Sequence, residues 1–220
     1  MNYTFRFRDV FAAWDLLQDG LILTLWLSGV TITIGLLVGT VCAAASAYGP
    51  RALRLLVACY VEAIRNTPLL VQLFIVFFGL PSAGLRLDAE TASVVALSVN
   101  LGAYTAEIVR AGLEAIPRTQ IEAGYSLGLT GPQVFRHVVL LPALRIVYPA
   151  LASQFVLLML ATSVVSQISA SDLFHAASII QSRTFRDFEV YAVVAGIYLA
   201  LALAMRVMFS GIYLLAFGRR

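Results

Sequence analysis

Few side chains in this sequence have the types and spacing that catalysis requires. Residues Gly124 to Gly128 match the pattern G-x-S-x-G, in which hydrolases hold a nucleophilic serine on a turn between a strand and a helix. Ser126 would need a histidine and an acid beside it. The two histidines are His137 and His175, and no alternating strand pattern precedes Gly124. An intramembrane hydrolase that uses Ser126 is therefore the least favoured interpretation.

The absence of lysine excludes two further chemistries. All 15 basic residues are arginines, whereas a P-loop needs a lysine at the nucleotide phosphates and a Schiff base needs a lysine amine. The two cysteines, Cys42 and Cys59, lie in apolar stretches without the spacing of a zinc site. We expect no catalytic residue, no metal and no cofactor in this chain, and any ATP must be hydrolysed by a partner.

The composition predicts an all-α integral membrane protein. Hydrophobic residues make up 60% of the 220 residues, charged residues 12%, and the mean hydropathy is +0.89. A membrane-spanning helix needs roughly 20 apolar residues, and the uncharged runs predict five of them in a single domain covering residues 1–220. The predicted spans are about 20–47, 54–80, 89–108, 143–168 and 188–214. In the first span, small residues recur every fourth position at Gly35, Gly39, Ala43 and Ala47, which predicts close helix packing.

The arginines also predict the orientation of the chain. The side that contains the C-terminus holds eight arginines and three acidic residues, and the opposite side holds five arginines and eight acidic residues. The positive-inside rule therefore places the N-terminus outside and the C-terminus in the cytoplasm. This rule accounts for the net charge of +3, so we expect no nucleic-acid binding. The longest cytoplasmic connection is the loop of about residues 111–141.

Two capping-box patterns lie in this loop, Thr119 to Glu122 and Thr130 to Gln133, and they predict two short helices ahead of a bend at Pro142. The small residues in the first helix lower its helix propensity. Close approach of another protein would explain them, so this loop is interpreted as a docking element for a cytoplasmic partner. The alternative is a loop that packs on its own spans.

The loop also resembles a known family. EAGYSLG followed by FRHVVLLPALR resembles the EAA loop of ABC-importer permeases. The stretches VEAIRNTPLLVQLF, GAYTAEIVRAGLEAIPRTQIEAG and SQFVLLMLATSVVSQISASDL are similar to the polar-amino-acid branch of that family. The resemblance implies a cytoplasmic coupling helix, seated in a cleft of an ATP-binding subunit and formed by Glu122, Ala123, Gly124 and Gly128, with Pro142 behind it. Gly124 stands where the pattern has alanine, and Pro142 comes one residue late.

The resemblance also implies an assembly. A dimer of cytoplasmic ABC ATPases would bind ATP and magnesium, a second copy or a homologous permease would complete the path, and an extracytoplasmic binding protein would deliver a polar amino acid. The location would be the bacterial inner membrane. The main alternative is a passive channel or a membrane scaffold, which would not depend on ATP.

Polar residues within the predicted spans are the candidates for the transport path. Glu62 and Arg65, at spacing i, i+3, are expected to form an ion pair with a gating or structural role, or to contact substrate. Asn100 and Tyr104 share one face of the third span, and Gln154, Thr162 and Ser163 lie in the fourth. Each of these five residues could contact the substrate, or could equally form a hydrogen bond between helices. Leu160 and Ala161 stand where relatives commonly carry a charged or amide pair, which leaves the cargo open.

Overall fold

The structure, a computed structural model, describes residues 5–218, and that part of the chain is helical with no strand. Arg219 and Arg220, which entered the charge count, lie outside the described residues. The helical segments are α1 (Arg8–Phe11), α2 (Trp14–Tyr48), α3 (Arg51–Arg65), α4 (Leu69–Ala83), α5 (Ala89–Glu114), α6 (Arg118–Ser126), α7 (Gly131–Ile168), α8 (Leu173–Thr184) and α9 (Asp187–Phe217).

Four of these helices, α2, α5, α7 and α9, are long and apolar enough to cross a membrane. Helices α3 and α4 make a fifth candidate span if they are counted together, although they meet at an angle of 108°. The predicted second span is thus two helices with a sharp break. Pro68 has extended backbone angles and stands at the N-cap of α4. A proline also disfavours helical geometry in the residue before it, which explains why the helix stops here.

Helix α5 is the centre of the bundle, since more than half of its most apolar stretch is buried. The corresponding stretch of α9 is almost entirely exposed. Helix α2 makes the most extensive contact with α5. Gly35 faces Leu101, and a Cβ atom built on Gly35 would lie 2.7 Å from the Leu101 Cβ. A Cβ on Gly39 would overlap Thr105. The small-residue pattern of the first span therefore serves this contact, apart from Ala47, which is exposed.

Helix α7 runs without a break from the loop into the fourth span. The prediction that the second loop helix ends before the fourth span is wrong, because Pro142 lies inside one continuous helical segment, Gly131–Ile168. A π-helical turn at Phe135–Val139 directly precedes the proline. This turn shifts the backbone hydrogen-bond register, so the helix tolerates the missing amide of the proline.

The tight contact between α2 and α5 predicts a difference between two glycines of α2. A Cβ on Gly29 meets nothing within 4 Å, so Gly29→Ala should leave the thermal midpoint of the detergent-solubilised protein within about 2 °C of wild type. Gly39→Ala should lower the midpoint by about 3–10 °C, because overpacking costs about 1–3 kcal/mol. Equal midpoints for the two variants would contradict the packing described here.

Candidate functional site

The loop predicted to dock a partner forms a short exposed helix. Helix α6 begins at Arg118, with Pro117 as its N-cap and no side-chain cap, so the predicted capping box of Thr119 and Glu122 is not formed. Proline already fixes a backbone angle that suits the helix entry. Glu122 and Ala123 are exposed, and at the end of the helix the side chain of Leu127 is 81% exposed.

The two glycines of this loop have internal roles. Gly124 is buried, and a Cβ there would lie 3.2 Å from Val134 Cγ2, so its small size lets α6 pack on α7. Gly128 has φ +80°, a conformation that glycine adopts without strain. Its N–H donates to Tyr125 O, and the next N–H donates to Gly124 O at 3.3 Å, which is the Schellman end of a helix. Packing within the loop thus accounts for the small size of Gly124, and local geometry accounts for Gly128.

The second capping box of the loop is confirmed. The Thr130 N–H donates to Gln133 Oε1 at 2.8 Å, and the two side chains form the reciprocal cap at the start of α7. Val134 and Val139 from this start pack against Ile116. The loop therefore has a small apolar core of its own, which fixes α6 relative to α5 and α7.

An amide network closes the break between α3 and α4. Gln72 Nε2 lies 2.8 Å from Ile64 O, 3.0 Å from Thr67 O and 2.9 Å from Thr67 Oγ1, and it donates to these oxygens. Gln72 Oε1 accepts from Asn100 Nδ2 at 2.9 Å. Both amides are less than a tenth exposed. Carbonyls freed by a helix break need such donors in an apolar environment, so this network makes the break possible and attaches it to α5.

Arg65 pairs with α5 and not with its own helix. Its Nη1 lies 3.6 Å from Glu107 Oε1, and its guanidinium carbon is 5.7 Å from the Tyr104 ring centroid. Glu62 Oε2 instead accepts from Asn66 Nδ2 at 2.8 Å. The predicted ion pair of Glu62 with Arg65 is therefore wrong, because Arg65 follows Val61 by one turn on the face of α3 that packs against α5.

The pair of Arg65 and Glu107 is the start of a chain of charges. Arg110 binds the Glu107 carboxylate at 2.6 Å and the Glu114 carboxylate at 2.7 Å. Glu114 is the last residue of α5, and α6 begins four residues later at Arg118. Alternating charges thus run along α5 from the helix break to the exposed loop.

Four of the five candidates for the substrate path fall into two groups, and Gln154 lies apart from them. Asn100 and Tyr104 lie beside the helix break, where they contact Gln72 and Arg65. Thr162 and Ser163 begin the 3₁₀ turn that ends α7, and their hydroxyls donate to backbone oxygens three residues earlier. Gln154 is partly buried on α7. The 3₁₀ turn packs against α2, α4 and α5, so both groups border the same interior region.

Sequence reasoning missed several buried polar residues, among them Gln72 and Asp172. Gln72 lies within a stretch quoted for its resemblance, but nothing in its spacing indicated that it closes a helix break. Asp172 is fully buried, and it accepts from the His175 N–H at 2.9 Å as the cap of α8 and from the Tyr198 hydroxyl at 3.3 Å. Burial raises the pKa of the Asp172 carboxyl to about 6. An aspartate ahead of an apolar helical stretch is a cap pattern that could have identified it.

Comparison with known proteins places these features in a transport context. Residues 20–216 match the family described as binding-protein-dependent transport system inner membrane component. The chain is 36% identical over 198 residues to the probable glutamine ABC transporter permease protein GlnM of Bacillus subtilis, which covers 90% of this chain and 92% of that protein. It is 34% identical over 203 residues to the glutamine transport system permease protein GlnP of Escherichia coli, covering 91% and 93%.

Solved structures agree with these matches. A crystal structure of an amino acid ABC transporter with histidines has a chain that superposes with a TM-score of 0.90 at 38% identity, covering 96% of this chain and 98% of that one. The MetNI methionine ABC transporter superposes with a TM-score of 0.76 at 21% identity, covering 91% and 96%, and it shares the fold.

The observed pairing of Arg65 predicts the outcome of a double-mutant cycle. Arg65→Gln and Glu107→Gln should couple by about 0.5–1 kcal/mol in the free energy of unfolding, the range of partly exposed ion pairs. Arg65→Gln and Glu62→Gln should add without coupling, since Glu62 bonds to Asn66 instead. Denaturant unfolding of the detergent-solubilised chain measures both cycles. Coupling in the Glu62 cycle and none in the Glu107 cycle would contradict the structure.

Proposed function

The chain belongs to the family of inner membrane components of binding-protein-dependent transport systems, and from this premise we propose that it translocates a polar amino acid between itself and a second permease subunit. It is the permease subunit of an ABC importer, and ATP hydrolysis takes place in a separate ATPase subunit. Relatives named for glutamine and for L-cystine support a polar amino acid as cargo. An extracytoplasmic binding protein delivers it.

The observation that carries this proposal is the exposed surface of α6. Glu122 and Ala123 lie uncovered on a helix that the loop core holds in place, and Tyr125 and Leu127 present apolar surface beside them. A carboxylate next to exposed apolar side chains suits a groove on a protein partner. We assign this surface to the ATP-binding subunit, with ATP and magnesium bound there.

The charge chain on α5 supports a route for the movement. When the ATPase dimer closes, α6 is displaced, and the short connection from α6 to Glu114 passes the force to α5. Arg110 and Glu107 join this end of α5 to Arg65, which ends α3 at the helix break. A shift of α5 therefore changes the angle between α3 and α4, and this opens or closes the path. Arg65 acts as a gating residue in this proposal.

The polar groups around the break are suited to an amino acid. A substrate ammonium group needs acceptors, and its carboxylate needs donors. The Gln72 amide is engaged at the helix break. The remaining N–H and the carbonyl oxygen of Asn100, with the hydroxyl oxygens of Thr162 and Ser163, offer both, next to a broken helix, where transporters commonly bind their substrates. Tyr104 and Gln154 complete the set of proposed contacts.

The proposed orientation, with the C-terminus in the cytoplasm, predicts the labelling of single cysteines. In a chain with Cys42 and Cys59 replaced by serine, Pro50→Cys lies between α2 and α3, and Gly84→Cys lies between α4 and α5. A membrane-impermeant maleimide added to intact cells should label residue 84 and spare residue 50 until the cells are opened. Labelling in the reverse order would overturn the orientation.

A charge reversal on α6 tests the docking surface. Glu122→Lys should reduce ATP-driven amino acid uptake in reconstituted vesicles at least tenfold, because it places a cation where the partner accepts a carboxylate. Ser126→Ala, on the same helix, is the matched control and should retain uptake, since its hydroxyl only donates to Glu122 O at 3.0 Å. Full uptake with Glu122→Lys would contradict docking, and loss of uptake with Ser126→Ala would revive the hydrolase interpretation.

The requirement for ATP separates the importer from the channel. Vesicles that contain the complete assembly should accumulate the amino acid only when ATP is present on the side of the membrane where the ATPase is bound. A passive channel would equilibrate the amino acid across the membrane without nucleotide. Equal flux with and without ATP would contradict the proposed function.

A further inference from the structure

A cavity of about 530 Å³ opens on the outside of the bundle between α7 and α9. Its wall combines the aromatic rings of Tyr148 and Tyr213, the hydroxyls of Ser153 and Ser210 and the guanidinium of Arg206. Helix α9 is almost uncovered by the described part of the chain. The cavity therefore faces the surroundings of the subunit and not the helix break of the proposed path.

Arg206 is the group in this cavity that needs an explanation. It is exposed within a helix that passes as a membrane span, about 16 Å before the end of that helix at Phe217. It forms no hydrogen bond or ion pair with any residue between positions 5 and 218. A cation at this depth is costly unless an anion neutralises it. The chain supplies no such anion within the described range.

A second cation lies beside the aromatic rings of the cavity. The Arg145 guanidinium carbon is 5.8 Å from the centroid of the Phe217 ring, and this ring packs against Tyr213 at 5.2 Å and Tyr148 at 6.0 Å. Arg145 Nε is buried, and no described residue accepts a hydrogen bond from it. Two arginines without acidic partners thus lie near one aromatic-lined opening.

We propose that this cavity binds the phosphate of an anionic phospholipid. Arginine forms paired hydrogen bonds with phosphate oxygens, and Ser153 and Ser210 add hydroxyl donors. The tyrosines match the interfacial level of a bilayer, while the exposed apolar surface of α9, including Leu214, contacts the acyl chains. This apolar surface selects a lipid over free phosphate. The proposed orientation places the site in the cytoplasmic leaflet.

Native mass spectrometry of the assembled transporter tests this site. The complex is purified in mild detergent and titrated with phosphatidylglycerol or phosphatidylcholine. Wild type should retain phosphatidylglycerol in preference to phosphatidylcholine. Arg206→Leu, which keeps the helix apolar, should reduce the retained phosphatidylglycerol at least fivefold, and Arg206→Lys should reduce it less. Arg54→Leu removes a surface arginine of α3 and should change the retention less than twofold.

Three results would overturn the proposal. Equal retention by wild type and Arg206→Leu would show that Arg206 does not bind the lipid. Equal retention of the two lipids by wild type would indicate an adventitious lipid. Loss of the second permease subunit from the Arg206→Leu complex, with lipid retention unchanged, would assign the cavity to the contact between subunits.

Discussion

The break between α3 and α4 can exist in a membrane because side chains at the break satisfy the backbone groups that it frees. Asn66 and Thr67 donate to the carbonyls of Glu62 and Ala63. Gln72 donates to the carbonyls of Ile64 and Thr67, and Asn100 holds Gln72 in place from α5. Within lipid, unpaired carbonyls would cost several kcal/mol each. The shape of the interior therefore depends on an amide network, to which the proposed substrate contact Asn100 belongs.

Helix α5 connects this break to the rest of the molecule. Gly35 and Gly39 let α2 approach it closely, so α5 is held along one side. On another side, Arg65 binds Glu107, and the chain of charges continues to Glu114 near the exposed helix α6. A helix that is packed this tightly moves as a rigid body. In the proposed mechanism, a displacement of α6 would reach the polar groups inside the bundle by this route.

Sequence patterns predicted the features that depend on neighbouring residues along the chain. Apolar runs indicated the helices that could span a membrane, and the spacing of Thr130 and Gln133 indicated a helix start. The partner of Arg65 could not be predicted, because Glu107 lies 42 positions away and only the packing of α3 on α5 brings them together. The buried face of Gly124 likewise depends on how α6 packs on α7. Contacts between helices depend on the tertiary structure, which residue spacing along one helix does not predict.

In the proposed mechanism, α6 is the surface through which a partner ATPase drives this permease. Placing a photo-crosslinking residue at Ala123, exposed on α6, and separately at Gly29, exposed on α2, tests this in native membranes. We expect Ala123 to become crosslinked to an ATP-binding protein and Gly29 to remain uncrosslinked to it. If neither position captured an ATP-binding protein, or if both captured it equally, the assignment of α6 as the docking surface would be contradicted.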